Sequence, residues 1–146
     1  MLQPDLILEN GLLLTMVEGE KPLEHATVLI QGDRIAGILA PGEEKPPFKG
    51  VQVLDATDSL VMPGLVNSHG HTAMTLFRGL ADDLPLKQWL FEKIFPAEAK
   101  HLSEETVYWG ALLGCLEMIA SGTTAVSDGY FFQDATVRAF QKAGLR

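Results

Sequence analysis

The run Leu60 to His71, LVMPGLVNSHGH, constrains this chain more than any other stretch. Its aliphatic residues read as a short β-strand. Strand side chains alternate between faces, so His69 and His71 are expected to point the same way at the strand's carboxyl end. Pro63 has no N–H to give to a ladder and is expected at the strand's first residue or at an edge, which places the histidines at the far end. Gly70 between them lets backbone or ligand come close. Two imidazoles on one side can share one metal ion. Chance can also produce a His-x-His in a chain with four histidines. Even as ligands the pair is only half of a catalytic site, which needs three or four protein ligands and an open position for water.

Beyond this run the pattern alternates. Pro85 opens a short helix over residues 86–94 with apolar Leu86, Trp89, Leu90, Phe91 and Ile94. Ser103 caps a long helix with Glu104 and Glu105 in its first turn, running to about Ser121 and stopped by Gly122. Its apolar stripe, Tyr108, Leu112, Cys115, Leu116 and Ile119, is widened by Val107, Ala111 and Met118, so more than one side is expected to be covered, by neighbouring helices or a second subunit. Residues 123–127, TTAVS, read as a strand ended by Asp128-Gly129, and 134–143 as a helix closed by Gly144. Strand, helix, strand, helix implies parallel pairing with right-handed crossovers. Asp128 then lies at a strand's carboxyl end, with a loop-ordering role weighed against a catalytic one.

Residues 1–59 differ in kind. Short aliphatic runs at 5–9, 11–16, 27–31, 34–39 and 51–54 alternate with Asn10-Gly11, Gly19, Gly32-Asp33 and Pro41-Gly42, the turn signals of an antiparallel β unit. Gly32-Asp33 marks a tight hairpin, 41–50 a polar surface loop, and His25 a solvated turn. Nothing here offers convergent catalytic groups.

At 146 residues and a formal charge of −8, the chain is long enough for a core but a poor partner for nucleic acid or an anionic membrane, both of which need clustered Lys and Arg. A small-molecule substrate fits better. The single cysteine, Cys115, excludes a disulfide framework and reads as core. No stretch is long and apolar enough to span a membrane, and the N-terminus lacks a basic leader, so cytoplasm is the expected location.

The string PGLVNSHGHTAMTLFRG, 63–79, resembles the first metal-binding strand of the amidohydrolase superfamily. The continuation DDLPLKQWLFEKIFPAEAKHLSEE, 82–105, is similar to its branch of 5'-methylthioadenosine/S-adenosylhomocysteine deaminases and related chlorohydrolases. The resemblance implies an α/β fold: the start of a (β/α)8 metal-dependent hydrolase barrel over 60–146, preceded over 1–59 by part of a small composite β-sandwich. A whole barrel takes about 200 residues or more, so the chain is expected to be the first third of a longer enzyme.

The resemblance further implies that His69 and His71 are ligands of one zinc per subunit, or of another divalent ion in its place. Glu98, in the F/L-P-x-E position, would contact ribose hydroxyls, with Trp89 and Phe77 enclosing the substrate. Trp89 by itself reads as ordinary packing and Glu98 as a solvated glutamate. The acid/base residue belongs to later strands, so no catalytic residue is expected among these 146. The implied activity is zinc-dependent hydrolytic deamination of adenine nucleosides. Against it stand triazine dechlorination, guanine deamination or cyclic-amide hydrolysis on the same scaffold, and a non-catalytic metal-binding module. A homo-oligomer is left open.

Overall fold

Five strands in the first half of the chain form one mixed sheet, in the order β3-β2-β1-β4 with β5 also paired to β1. They are β1 (Leu6–Leu13), β2 (Leu23–Gln31), β3 (Arg34–Leu39), β4 (Gln52–Asp55) and β5 (Leu60–Val61). The structure is a computed structural model and describes residues 3–146. The hairpin at Gly32-Asp33 joins β2 to β3 with Gln31 opposite Arg34, and Gly32 takes the positive φ of 59° that the turn requires. Burial of Ile7, Leu13, Ala26, Val28 and Leu29 forms this unit's core.

Two features differ from the sequence reading. The sheet is not purely antiparallel, because β4 and β5 both run parallel to β1. The polar loop after β3 is long enough to carry the chain back alongside β1, which a tight turn could not do. Asn10-Gly11 is also not a turn, since β1 passes straight through it. Asn10, at φ 65°, is an extra residue between the Leu8–Val28 and Gly11–Ala26 pairs. His25, at φ 53°, is an extra residue on β2 before the Leu13–Leu23 pair, so the two bulges cancel and the register is restored. His25 is exposed, in a bulge rather than a turn. Gly11 is needed for a different reason: a Cβ there would sit 2.6 Å from Val61 Cγ2.

The chain divides into two units, Met1–Pro63 and Gly64–Arg146. The run from Leu60 to His71 is therefore not one strand. Leu60–Val61 belongs to the first sheet, and Pro63, which lacks a donor and restricts Met62 before it, lies between that strand and the next.

The second unit is mixed α/β. Strands β6 (Leu65–Gly70) and β7 (Thr123–Asp128) pair in parallel, and the backbone at Arg146 also bonds β7, donating to Thr124 O at 3.0 Å and accepting from Val126 N at 2.8 Å. A 3₁₀ turn (Thr72–Phe77) follows β6. The helix expected over 86–94 begins as α1 (Leu86–Gln88), widens into a π segment (Trp89–Ile94) and continues as α2 (Phe95–His101). The wide turn lets the chain remain helical through Pro96, which lacks a donor.

Helix α3 (Glu104–Ala120) starts on a reciprocal cap in which Ser103 Oγ accepts from Thr106 N–H and Thr106 Oγ1 accepts from Ser103 N–H. Its buried face is Val107, Gly110, Ala111, Gly114 and Cys115, whereas Leu116 and Ile119, assigned to the core stripe from the sequence, are exposed. Small residues face inward because α3 lies very close to the 3₁₀ turn: a Cβ on Gly110 would stand 2.7 Å from Ala73 O. Helix α4 (Gln133–Ala143) ends at Gly144 in the left-handed region and closes an alanine-rich core of Ala73, Val107, Ala111, Ala135 and Ala139.

Candidate functional site

His69 is in β6 and His71 directly follows it, both exposed, with ring centroids 5.0 Å apart and ring planes at 77°. An ion held tetrahedrally at about 2.1 Å from each ring nitrogen places the two centroids roughly 5 Å apart, so the observed spacing fits a shared metal. His71 Nδ1 lies 2.5 Å from Gly129 O. A carbonyl oxygen only accepts, so Nδ1 carries the proton and Nε2 presents its lone pair. Among the described residues no third His, Cys, Asp or Glu joins the pair. Among the described residues the candidate donor set is therefore two imidazoles, one of them with its ring orientation and tautomer fixed.

Asp128 ends β7 and fastens the backbone just after His71. Its Oδ1 accepts from Thr72 N–H at 2.6 Å and from Thr72 Oγ1 at 2.5 Å, which is a loop-ordering contact. The next residue, Gly129, orients the His71 ring, and the one after it, Tyr130, has its ring 6.0 Å from that of His71.

Glu98, on α2, is only 7% exposed. The reading of a solvated glutamate does not describe it. Tyr130 Oη donates to Glu98 Oε1 at 2.6 Å, across 32 residues of sequence. Burial, then the Glu98 carboxylate, pushes the Tyr130 phenol above its ordinary pKa, so it stays a proton donor. Tyr130 was not singled out from the sequence. The available signal was its place just past the carboxyl end of a strand, where functional loops of parallel sheets gather.

Two cavities meet at Phe131. One, of about 420 Å³, is lined by His71, Met74, Trp89, Ile94 and Tyr130 among others, so Trp89 and a candidate ligand face one space. The other, of about 480 Å³, is mostly apolar and is lined by Glu98 with Phe95, Leu102, Phe131 and Phe132. Each is of a size that holds a small ligand. Phe77, half-buried in the 3₁₀ turn, lines neither. His101 is exposed. No helix among the described residues is long and apolar enough to cross a membrane.

Residues 60–146 match the sequence model of the amidohydrolase family. Over 142 residues the chain is 51% identical to a 5'-deoxyadenosine deaminase of Methanosarcina barkeri. It is 46% identical to a 5-methylthioadenosine/S-adenosylhomocysteine deaminase of Syntrophus aciditrophicus. In both cases 97% of this chain and 32% of the relative are covered, so the chain spans about a third of the length of these relatives. Among solved structures, an adenosine deaminase from Xanthomonas campestris with bound zinc superposes at TM-score 0.92 and 36% identity, covering 99% of this chain and 33% of that one. An atrazine chlorohydrolase from Arthrobacter aurescens matches at TM-score 0.86 and 22% identity, covering 97% of this chain and 34% of that one, a likeness of fold.

Proposed function

The chain belongs to the amidohydrolase family, and from that membership we propose that the whole protein is a zinc-dependent hydrolase that deaminates adenine nucleosides. Its substrates are 5'-deoxyadenosine, 5'-methylthioadenosine, S-adenosylhomocysteine or adenosine, and the observation that carries this choice is the buried carboxylate of Glu98 beside an aromatic cavity. A triazine or a free base has no ribose for that carboxylate to bind.

In this reading residues 60–146 are the first two βα units of a (β/α)8 barrel, and 1–59 are part of a composite β-sandwich. The bonds from Arg146 to β7 support a sheet that continues. The site is at the carboxyl ends of β6 and β7, where barrels of this kind gather their chemistry. The protein works in the cytoplasm, as a single subunit or a homo-oligomer.

His69 and His71 hold the metal, with His71 aimed by the Gly129 carbonyl and its backbone steadied by Asp128. When bound, a divalent ion supplies Lewis acidity that brings the pKa of water toward neutrality. Glu98 accepts from the ribose hydroxyls and fixes the sugar. Trp89, rather than Phe77, gives the purine a flat wall, and apolar side chains line most of both cavities. Proton transfer to the departing ammonia falls to residues outside the 146.

The test is ammonia release by the full-length protein from these nucleosides, alongside guanine and a chlorotriazine. His69→Ala is expected to remove the metal and lower turnover by at least about a thousandfold, since its loss takes the Lewis acid with it. Unchanged turnover in that variant, or preference for the triazine, would overturn the reading.

A further inference from the structure

Resting on that reading of Glu98 as the ribose contact, we infer that Tyr130 is a positioning residue that fixes the Glu98 carboxylate for a vicinal diol. Tyr130 Oη is the only donor that reaches the Glu98 carboxylate among the described residues, and it takes Oε1 alone. Among the described residues no donor reaches Glu98 Oε2, and Glu98 lines the cavity of about 480 Å³ beside Phe95, Phe131 and Phe132. One oxygen is tied and the other is left open to a ligand.

The terminal torsion of a glutamate is soft, so an unrestrained carboxylate would present its lone pairs over a wide arc. The bond from Tyr130 removes that freedom, as a supporting contact must if the first contact is to be held in place. The phenol is also held on the protonated side by its own burial, so at working pH it donates and does not repel the carboxylate.

Tyr130 directly follows Gly129, whose carbonyl sets the His71 ring, and the Tyr130 and His71 rings are 6.0 Å apart. One two-residue segment at the end of β7 thus orients both a metal-pair imidazole and the sugar-binding carboxylate.

The experiment compares adenosine with 2',3'-dideoxyadenosine in the full-length protein. With Tyr130→Phe, KM for adenosine is expected to rise about tenfold or more, as for the loss of a hydrogen bond to a charged group. The kcat for adenosine and the KM for the dideoxy compound are expected to stay within about twofold, because neither depends on the diol. The second arm is Glu98→Gln/Tyr130→Phe, which leaves no carboxylate buried without its donor. Its KM for adenosine is expected to match that of Glu98→Gln alone. An equal rise for both nucleosides, no rise for either, or a further rise in the double variant overturns the role of Tyr130. Failure of the ribose reading is separate: the unsubstituted protein would then treat the two nucleosides alike.

Discussion

Cys115 lies in the middle of α3 with no exposed surface, and burial first, then the charge of Asp128, pushes its thiol up to about 11. A raised thiol pKa in the folded state means that the unfolded chain loses its proton first as pH climbs. The contribution to stability is therefore complete below about 8.5, the ordinary thiol value, and is lost as pH rises toward 11. Native protein at pH 8 is expected to resist iodoacetamide for as long as it stays folded, with modification tracking unfolding in urea. Prompt stoichiometric labelling of folded protein would contradict this. The inert thiol was legible because one cysteine in an apolar helical stripe has few other roles. The His69–His71 pair was legible for a similar reason, since the period of a strand is local. The burial of Glu98 was not: glutamate is ordinarily exposed, and the tyrosine that holds it is 32 residues away and comes near only once β7 is laid beside β6.

At the scale of elements, chain signals that act within one turn were readable and those that depend on a neighbour were not. Ser103 with its acidic first turn, and Gly122 and Gly144 at positive φ, mark helix ends because caps are satisfied locally. Asn10-Gly11 carries a turn signal too, but bulges draw on the same left-handed residues as turns, and only the partner strand decides between them. The inward face of α3 was misjudged toward its large residues because helix periodicity does not reveal how close the neighbour comes. Gly114 shows the cost of that closeness. A Cβ there would sit 2.5 Å from Thr72 Cγ2 and 3.1 Å from Thr72 O, directly after His71. Alanine gains about 1 kcal/mol over glycine in a helix, but forcing backbone and side chain apart in a packed core costs about 1–3 kcal/mol. Gly114→Ala is thus expected to destabilise by up to about 2 kcal/mol and to lower metal content by displacing the Thr72–Asp128 contact. A urea midpoint equal to or above that of the unsubstituted protein, with full metal occupancy, would show that the turn yields freely.

At the scale of the whole molecule, the second unit leaves large apolar side chains uncovered: Val66 is 71% exposed, Leu116 64% and Trp109 57%. Its sheet has only β6 and β7 as full strands, with a single further residue, Arg146, bonded alongside. Open edges and apolar patches of this kind invite association. The formal charge of −8 opposes it only weakly at physiological salt, where screening acts within about 8 Å. The 146 residues produced alone are therefore expected to bind a hydrophobic dye and to elute as a mixture of assemblies, whereas the full-length protein elutes as one defined species without binding the dye. Two imidazoles hold a metal less firmly than a completed ligand set, so the short chain is also expected to retain well under one zinc per molecule after dialysis. A monomeric, dye-negative short chain that retains stoichiometric zinc would mean that the two units are self-sufficient. Metal binding in its own right, rather than catalysis completed by further strands, would then be the better account of the His69–His71 pair.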